Sequence, residues 1–203
     1  MPDYTKRKHE LMYEMYTAKQ QMFFAGAREP DKSHANRGME FENELKVMHA
    51  LYARRGLARI EKNYVPTQPV RNGQWAKVIG KAIVDFSGLT AGGRFVAFDA
   101  KDCVGHRIEL DRLADHQFGY LGQVQALGGW AFVLVRFARQ YVYRIPFDAW
   151  ADAALMREGF KTETVDGWKP KYAASIGMAD MKPHWAVDGV DWLTRRIDRD
   201  DNG

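Results

Sequence analysis

The fold is decided by residues 83–101, IVDFSGLTAGGRFVAFDAK. Two apolar segments flank a Gly-rich turn, which predicts a β-hairpin that pivots near Gly92. Side chains alternate between the faces of a strand, so Asp99 and Lys101 point the same way. Asp85, on the first strand, then lies opposite Asp99. The pattern brings two carboxylates and one ammonium together at one end of the hairpin.

These three side chains suit a divalent-metal site that hydrolyses phosphodiesters. Mg²⁺ takes oxygen ligands, often one or two carboxylates with waters and substrate phosphate. A neighbouring Lys can orient or deprotonate the attacking water, or stabilise charge in the transition state. The alternative is a hairpin whose charges simply face solvent. The apolar flanks favour a functional role, because charges inside such strands are costly.

Composition indicates a folded domain with an anionic partner. The chain has 203 residues, 46% of them hydrophobic, and a net charge of +4. Seven basic residues and one acid occupy residues 54–81. A basic segment next to a metal site favours a polyanionic substrate, although a solvated loop would look similar.

The single cysteine, Cys103, excludes an internal disulfide and a cysteine-based zinc cluster. This usage suits a reducing cytoplasm. The sequence shows neither a signal peptide nor an apolar stretch long enough for a membrane helix, so no membrane partner is expected.

The remaining pattern predicts helices around a sheet, in an α/β fold. Amphipathic spacing predicts helices over residues 4–28, 36–55 and 110–127, and a shorter one over 147–157. Strands are expected at residues 58–65, 130–137 and 140–145. Residues 161–191 read as irregular, and 191–197 as a last helical turn or two.

Three phrases together resemble the RecU-type Holliday junction resolvases of the PD-(D/E)xK nuclease superfamily. They are NRGMEFE at residues 36–42, the hairpin with its Asp-Ala-Lys, and His116-Gln117 followed by Gly128-Gly129 and an apolar strand. The similarity covers about residues 35–197. It implies a restriction-endonuclease-like mixed central sheet flanked by helices, in a nuclease domain over residues 33–203 preceded by a helical extension over 1–32.

The resemblance also implies a homodimer that binds four-way DNA junctions and cuts two opposed strands symmetrically, using Mg²⁺ or Mn²⁺. Carried over by position, Asp85 and Asp99 are metal ligands, and Lys101 positions or activates water. Glu42 is the additional carboxylate, and Gln117 supports the site. The residues implied for DNA binding are Asn36, Arg37, Arg71, Trp75, Lys77 and Lys81.

Two features depart from the family pattern. Its second carboxylate is typically Glu, whereas this chain has Asp99. The basic segment over about residues 66–82, which corresponds to the family's projecting stalk, is short, so junction selectivity is less secure than cleavage.

Other roles remain open for several residues and for the whole chain. Glu42 can form a surface pair with Lys46, Gln117 can cap a buried backbone group, and Trp75 can belong to the core. The alternative functions are a nuclease for branched or duplex DNA without junction specificity, and a non-cleaving DNA-binding recombination protein on the same fold.

Overall fold

The computed structural model describes residues 35–65, 67–68, 77–78, 82–160, 167–171 and 174–193. The expected helix over residues 4–28 and the extension over 1–32 lie outside these ranges, so both stay predictions. Nothing in the described ranges forms a helix long and apolar enough to cross a bilayer.

The helices and strands follow the predicted order. The helices are α1 (Ala35–Arg54), α2 (Asp115–Ala126) and α3 (Phe147–Arg157). The strands are β1 (Ala58–Lys62), β2 (Thr67–Gln68), β3 (Lys77–Val78), β4 (Phe86–Thr90), β5 (Phe95–Cys103), β6 (Arg107–Glu109), β7 (Trp130–Phe137), β8 (Tyr141–Pro146), β9 (Ser175–Gly177) and β10 (Ala186–Val187).

Six strands form the central sheet, in the order β1-β4-β5-β7-β8-β10. Strands β5 and β7 run parallel, while the other neighbouring pairs run antiparallel. The predicted fold class, α/β with a mixed central sheet flanked by helices, is confirmed. Two small antiparallel ladders, β2 with β3 and β6 with β9, lie outside this sheet.

Each face of the sheet has its own apolar core. Helix α1 packs Phe41, Leu45 and Tyr52 on one face, where Phe86, Phe98 and Phe132 stack in a row. Helices α2 and α3 cover the other face. Because both faces are buried, β7 is apolar along nearly its whole length, as its sequence WAFVLVRF predicts.

The hairpin turns where the sequence predicts. Gly93 adopts φ +75°, and the amide of Thr90 donates to the carbonyl of Arg94. The backbones of β4 and β1 approach each other closely at Gly88: a Cβ there would lie 1.9 Å from the Arg59 carbonyl oxygen. A side chain at residue 88 would therefore force the two strands apart.

Apart from shifts of one residue at some ends, the structure differs from the prediction in four places. The first strand ends at Lys62 rather than Val65, and Asp85 lies just before β4 rather than within it. The third helix begins at Asp115, because Leu110–Arg112 forms a 3₁₀ turn and Leu113 is extended. The expectation of irregular chain over residues 161–191 is wrong in part, since β9 and β10 fall there.

The C-terminal turn predicted over residues 191–197 is not helical in its described part. Asp191 bridges to Asp188, and the tail is held by side chains of α1. The Tyr52 hydroxyl donates to Asp191 at 2.6 Å and accepts from the Leu193 amide, and the Trp192 indole donates to His49 Nε2 at 3.1 Å. These tertiary contacts replace the hydrogen bonds that a helix would make.

One buried guanidinium joins α1 to the sheet. Arg136 on β7 makes two hydrogen bonds with Asp102, at 3.1 and 2.8 Å, and a third with Glu44 at 2.8 Å. Its guanidinium also lies 4.6 Å from the ring centre of Phe41. Asp102 follows Lys101 directly, so this ion cluster ties the helix to the strand that carries the candidate site.

We expect Arg136→Met to lower the free energy of unfolding by about 3–5 kcal/mol, because it leaves the Asp102 carboxylate buried without its partner. Urea denaturation measures this loss. Arg157→Met is the matched control, since its partner Asp111 is 78% exposed and such surface pairs contribute about 1 kcal/mol or less. Equal losses for the two variants would contradict the structural role of Arg136.

The contribution of His49 to stability should fall as the pH drops from 6.5 to 4, while that of Asp85, whose pKa is raised to about 7, changes in the opposite direction. Burial lowers the pKa of His49 from 6.5 to about 4, so the unfolded chain takes up a proton before the folded chain does. The contribution is present above pH 6.5, and its full loss is on the order of 3 kcal/mol. The stability difference between the parent and His49→Gln should therefore change by this amount across a pH series of urea midpoints, because the comparison cancels the opposite contribution of Asp85.

Candidate active site

Asp85 is held at the entry to the β4–β5 hairpin by backbone contacts on both sides. Its carbonyl oxygen accepts the amide of Asn63 at 2.8 Å, which continues the β1–β4 ladder. Its side-chain Oδ2 accepts the amide of Ala100 at 2.9 Å. The carboxylate therefore takes the place of a ladder acceptor, and this positions it beside the middle of β5.

Asp99 and Lys101 project from β5 on the same face, as alternation requires. Asp99 is completely buried. Its Oδ2 lies 2.5 Å from Lys101 Nζ, and the Lys101 side chain is 15% exposed. The ammonium is thus held against a buried carboxylate while its residual exposure leaves it open to a ligand.

Gln117 makes contacts of both kinds that were weighed from its sequence position, to the candidate site and to a backbone amide. Its Nε2 donates to Asp99 Oδ1 at 2.5 Å, and its Oε1 accepts from Lys101 Nζ at 3.4 Å. The same Oε1 accepts the Ala114 amide at 3.1 Å, which caps the start of α2. One amide therefore starts the helix and supports the site.

The surroundings of Asp85 change how readily it ionises. Burial, and after it the charge of Asp99, raise the pKa of Asp85 from 3.8 to about 7. The amide of Ala100 and the charge of Lys101 act in the opposite direction. Asp85 therefore keeps a proton into the neutral range, as expected for two carboxyl groups that meet in a poorly solvated place.

This donor pair fits a divalent cation. Among the residues that the structure describes, no group of three or more His, Cys, Asp or Glu side chains is arranged to hold a metal ion. One or two carboxylates are nevertheless the usual protein share of a Mg²⁺ site, the rest being water and phosphate oxygens. A dication next to Asp85 and Asp99 would offset the repulsion that raises the pKa of Asp85.

Glu42 has a partner other than the one weighed from sequence. Its carboxylate forms an ion pair with Lys62 on β1, while Lys46 donates to Asn43. The Lys62 ammonium also lies 5.5 Å from the ring centre of Phe86, the residue after Asp85. The structure brings Asp85, Asp99, Lys101 and Gln117 together, and it shows no contact of Glu42 with that group.

The sequence reasoning missed Lys62. A signal was present, because Lys62 follows the buried Ile60 by two residues on a strand and so faces inward. A Lys that faces inward next to a predicted site is expected to pair with an acidic side chain. Finding that partner required knowing how α1 packs on β1.

The residues expected to bind DNA are only partly placed. Asn36 and Arg37 lie in the first turn of α1, and Lys77 lies on β3, but only their backbones are described. Arg71, Trp75 and Lys81 fall outside the described residues. All six assignments stay predictions.

Comparison with known proteins agrees with the resemblance seen in the sequence. The model of the RecU family, Recombination protein U, matches residues 36–172. The Holliday junction resolvase RecU of Geobacillus kaustophilus is 34% identical over 122 residues, which is 55% of this chain and 60% of that protein. That of Streptococcus oralis is 34% identical over 126 residues, 57% of this chain and 63% of that protein.

Among solved structures, the Archaeoglobus fulgidus Hjc, a Holliday junction resolvase from an archaeal hyperthermophile, matches with a TM-score of 0.41 and 15% identity. The match covers 75% of this chain and 91% of the Hjc chain. The family model spans more than half of the chain, and the chain therefore belongs to the RecU family. It spans about three fifths of the length of the curated relatives that it matches.

We expect Asp85→Asn to weaken metal binding and to stabilise the metal-free protein. At pH 8, removing the buried Asp85 charge should raise the free energy of unfolding in EDTA by on the order of 4 kcal/mol, because its pKa lies at about 7 in the folded protein and at 3.8 in the unfolded chain. The Asn carbonyl can still accept the Ala100 amide. Mn²⁺ titration followed by calorimetry should show at least a tenfold lower affinity, on the order of one lost ligand.

The exposed Glu109 supplies the control, because Glu109→Gln removes a carboxylate away from the pair. It should leave both the Mn²⁺ affinity and the stability unchanged. If Asp85→Asn binds Mn²⁺ as tightly as the parent protein, the assignment of Asp85 as a metal ligand is wrong.

Proposed function

We propose that this RecU family member is a metal-dependent endodeoxyribonuclease that resolves Holliday junctions by paired, symmetric nicks during DNA recombination and repair. The observation that carries the proposal is the contact of Asp85, Asp99 and Lys101 at one end of the β4–β5 hairpin. The curated relatives named as Holliday junction resolvases support the choice of substrate.

Asp85 and Asp99 would hold the metal ion, Mg²⁺ or Mn²⁺. Bound there, the ion would lower the pKa of a water molecule and offset charge on the phosphate. Glu42 stays a candidate for an additional, water-mediated contact. Its pairing with Lys62 means that such a contact requires the carboxylate to exchange partners.

Lys101 would act on the nucleophile or the phosphate through its ammonium. A lysine ammonium has three N–H donors; one is directed to Gln117 Oε1, while Asp99 Oδ2 lies 2.5 Å from Nζ as an ion-pair partner and receives no hydrogen bond. These contacts hold the ammonium in place, and its other donors would be available to a water molecule or a phosphate oxygen. The role of Gln117 is to position Lys101 and Asp99 relative to each other.

Resolution of a junction requires two such active sites. A four-way junction has two strands to cut, and a homodimer places two identical sites about a two-fold axis that matches the junction. We propose this assembly, with phosphate contacts from Arg37, Arg71, Lys77 and Lys81, support from Asn36, and stacking of bases on Trp75.

The second candidate function is a nuclease for branched or duplex DNA without junction selectivity. The short basic segment over about residues 66–82 favours it, because less chain is available to enter the junction centre. A non-cleaving DNA-binding protein is disfavoured, since both carboxylates, Lys101 and Gln117 are present and in contact.

The test compares a synthetic four-way junction with a linear duplex of the same sequence, in Mg²⁺ or in EDTA. We expect paired cuts in the junction only with Mg²⁺. Asp85→Asn and Asp99→Asn should abolish cleavage and retain junction binding, because phosphate contacts come from basic side chains. Lys101→Met should lower the cleavage rate by at least about 100-fold.

Glu109→Gln again provides the active control. Equal cleavage of junction and duplex would select the second candidate. Cleavage by either Asp variant at the parent rate would refute the proposed metal site, and junction binding without any cleavage would select the non-cleaving protein.

A further inference from the structure

A mostly apolar groove runs along the outer face of α1, away from the candidate active site. Its volume is about 590 Å³. Val47, Met48 and Leu51 line it on the helix, and Val190 lines it from the C-terminal segment. Val47 is 73% exposed, although it belongs to a helix whose opposite face is fully buried.

The two ends of this groove carry opposite charges. Glu44 lies at the end nearer the start of α1; its Oε1 accepts from Arg136, and its side chain is still 44% exposed. Arg54 is the last residue of the helix. A helix laid in the groove would therefore match it best with a basic residue near Glu44 and an acidic residue near Arg54.

The chain itself supplies a segment of this kind. Residues 4–28 have the apolar spacing of an amphipathic helix, and the polar stretch 29–34, EPDKSH, separates them from the start of α1. Six residues is a usual length for the connection between two antiparallel helices. The segment thus enters at the end of the groove that holds Glu44.

The register of such a helix pair follows from the loop. If residue 28 lies opposite residue 35, residues pair when their numbers add to about 63, because both helices rise 1.5 Å per residue. Met15 and Tyr16 then fall opposite Met48 and Val47. Lys19 falls opposite Glu44, and Glu10 falls near Arg54, so the apolar and charged positions match together.

We propose that residues 4–28 of this chain pack in the groove as a helix antiparallel to α1. The segment covers Val47 and Leu51 and makes α1 a helix buried on two sides. This inference rests on the groove and the segment, and is independent of the catalytic proposal.

Cross-linking in the full chain tests the register. Met15→Cys with Val47→Cys is treated with a short bismaleimide at low protein concentration, and Cys103 does not compete because it is buried. We expect a cross-link within one chain, identified by the mass of the joined peptides. Met15→Cys with Ala126→Cys, at the far end of α2, should give at least tenfold less.

A stability measurement tests whether the groove is covered. Val47→Asp should lower Tm by roughly 4 °C if a helix covers the site. Val104→Asp is the matched control, since Val104 is 59% exposed in the turn after β5, and its Tm should stay the same. This control measures how much Tm changes when an aspartate replaces a valine on a surface that nothing covers.

The proposal stands only if both results are obtained. Equal cross-linking yields for the two cysteine pairs, or an unchanged Tm in Val47→Asp, would overturn it. Cross-links that join two chains would identify a second copy as the occupant and would overturn it as well.

Discussion

The burial of two carboxyl groups side by side is the constraint on which the site depends. Asp99 is fully enclosed, and Asp85 is held next to it by the Ala100 amide. Their repulsion is reduced by Lys101, by the Gln117 amide and by a proton that Asp85 retains into the neutral range. A dication placed there would offset the repulsion between the two carboxyl groups, so the metal site that we propose would depend on the charge state of the pair.

The mixed sheet makes this arrangement possible. β5 pairs antiparallel with β4 and parallel with β7, so its backbone is fixed on both sides along the residues that carry Asp99 and Lys101. The apolar cores on the two faces exclude water around the carboxylates. Arg136 adds a link from β7 to Asp102 and to Glu44 of α1. The strand that bears the site is thus held by its neighbours in the sheet and by the helix above it.

The family pattern is kept in part and changed in part. Asp99 stands where RecU-type proteins typically have Glu. Its shorter side chain still contacts Lys101, two residues further along the same strand. Glu42 forms an ion pair with Lys62 instead of joining the carboxylates. The sequence suggested Lys46 as a possible partner of Glu42, because residues four apart on a helix are neighbours. The observed partner comes from a strand 20 residues further on, and no local rule selects it.

The sequence by itself determined the features that depend on local spacing. Alternation placed Asp99 and Lys101 on one face, the Gly-rich turn paired Asp85 with β5, and the apolar run 130–137 predicted a strand covered on both sides. Only the tertiary structure decided where α2 begins and that Gln117 contacts both the start of its helix and the candidate site. It also decided that residues 191–193 are not helical, because Tyr52 and His49 form hydrogen bonds with them. The physical reason is that hydrogen bonds and ion pairs between distant segments compete with local preferences, and only the packed chain shows which of them are made.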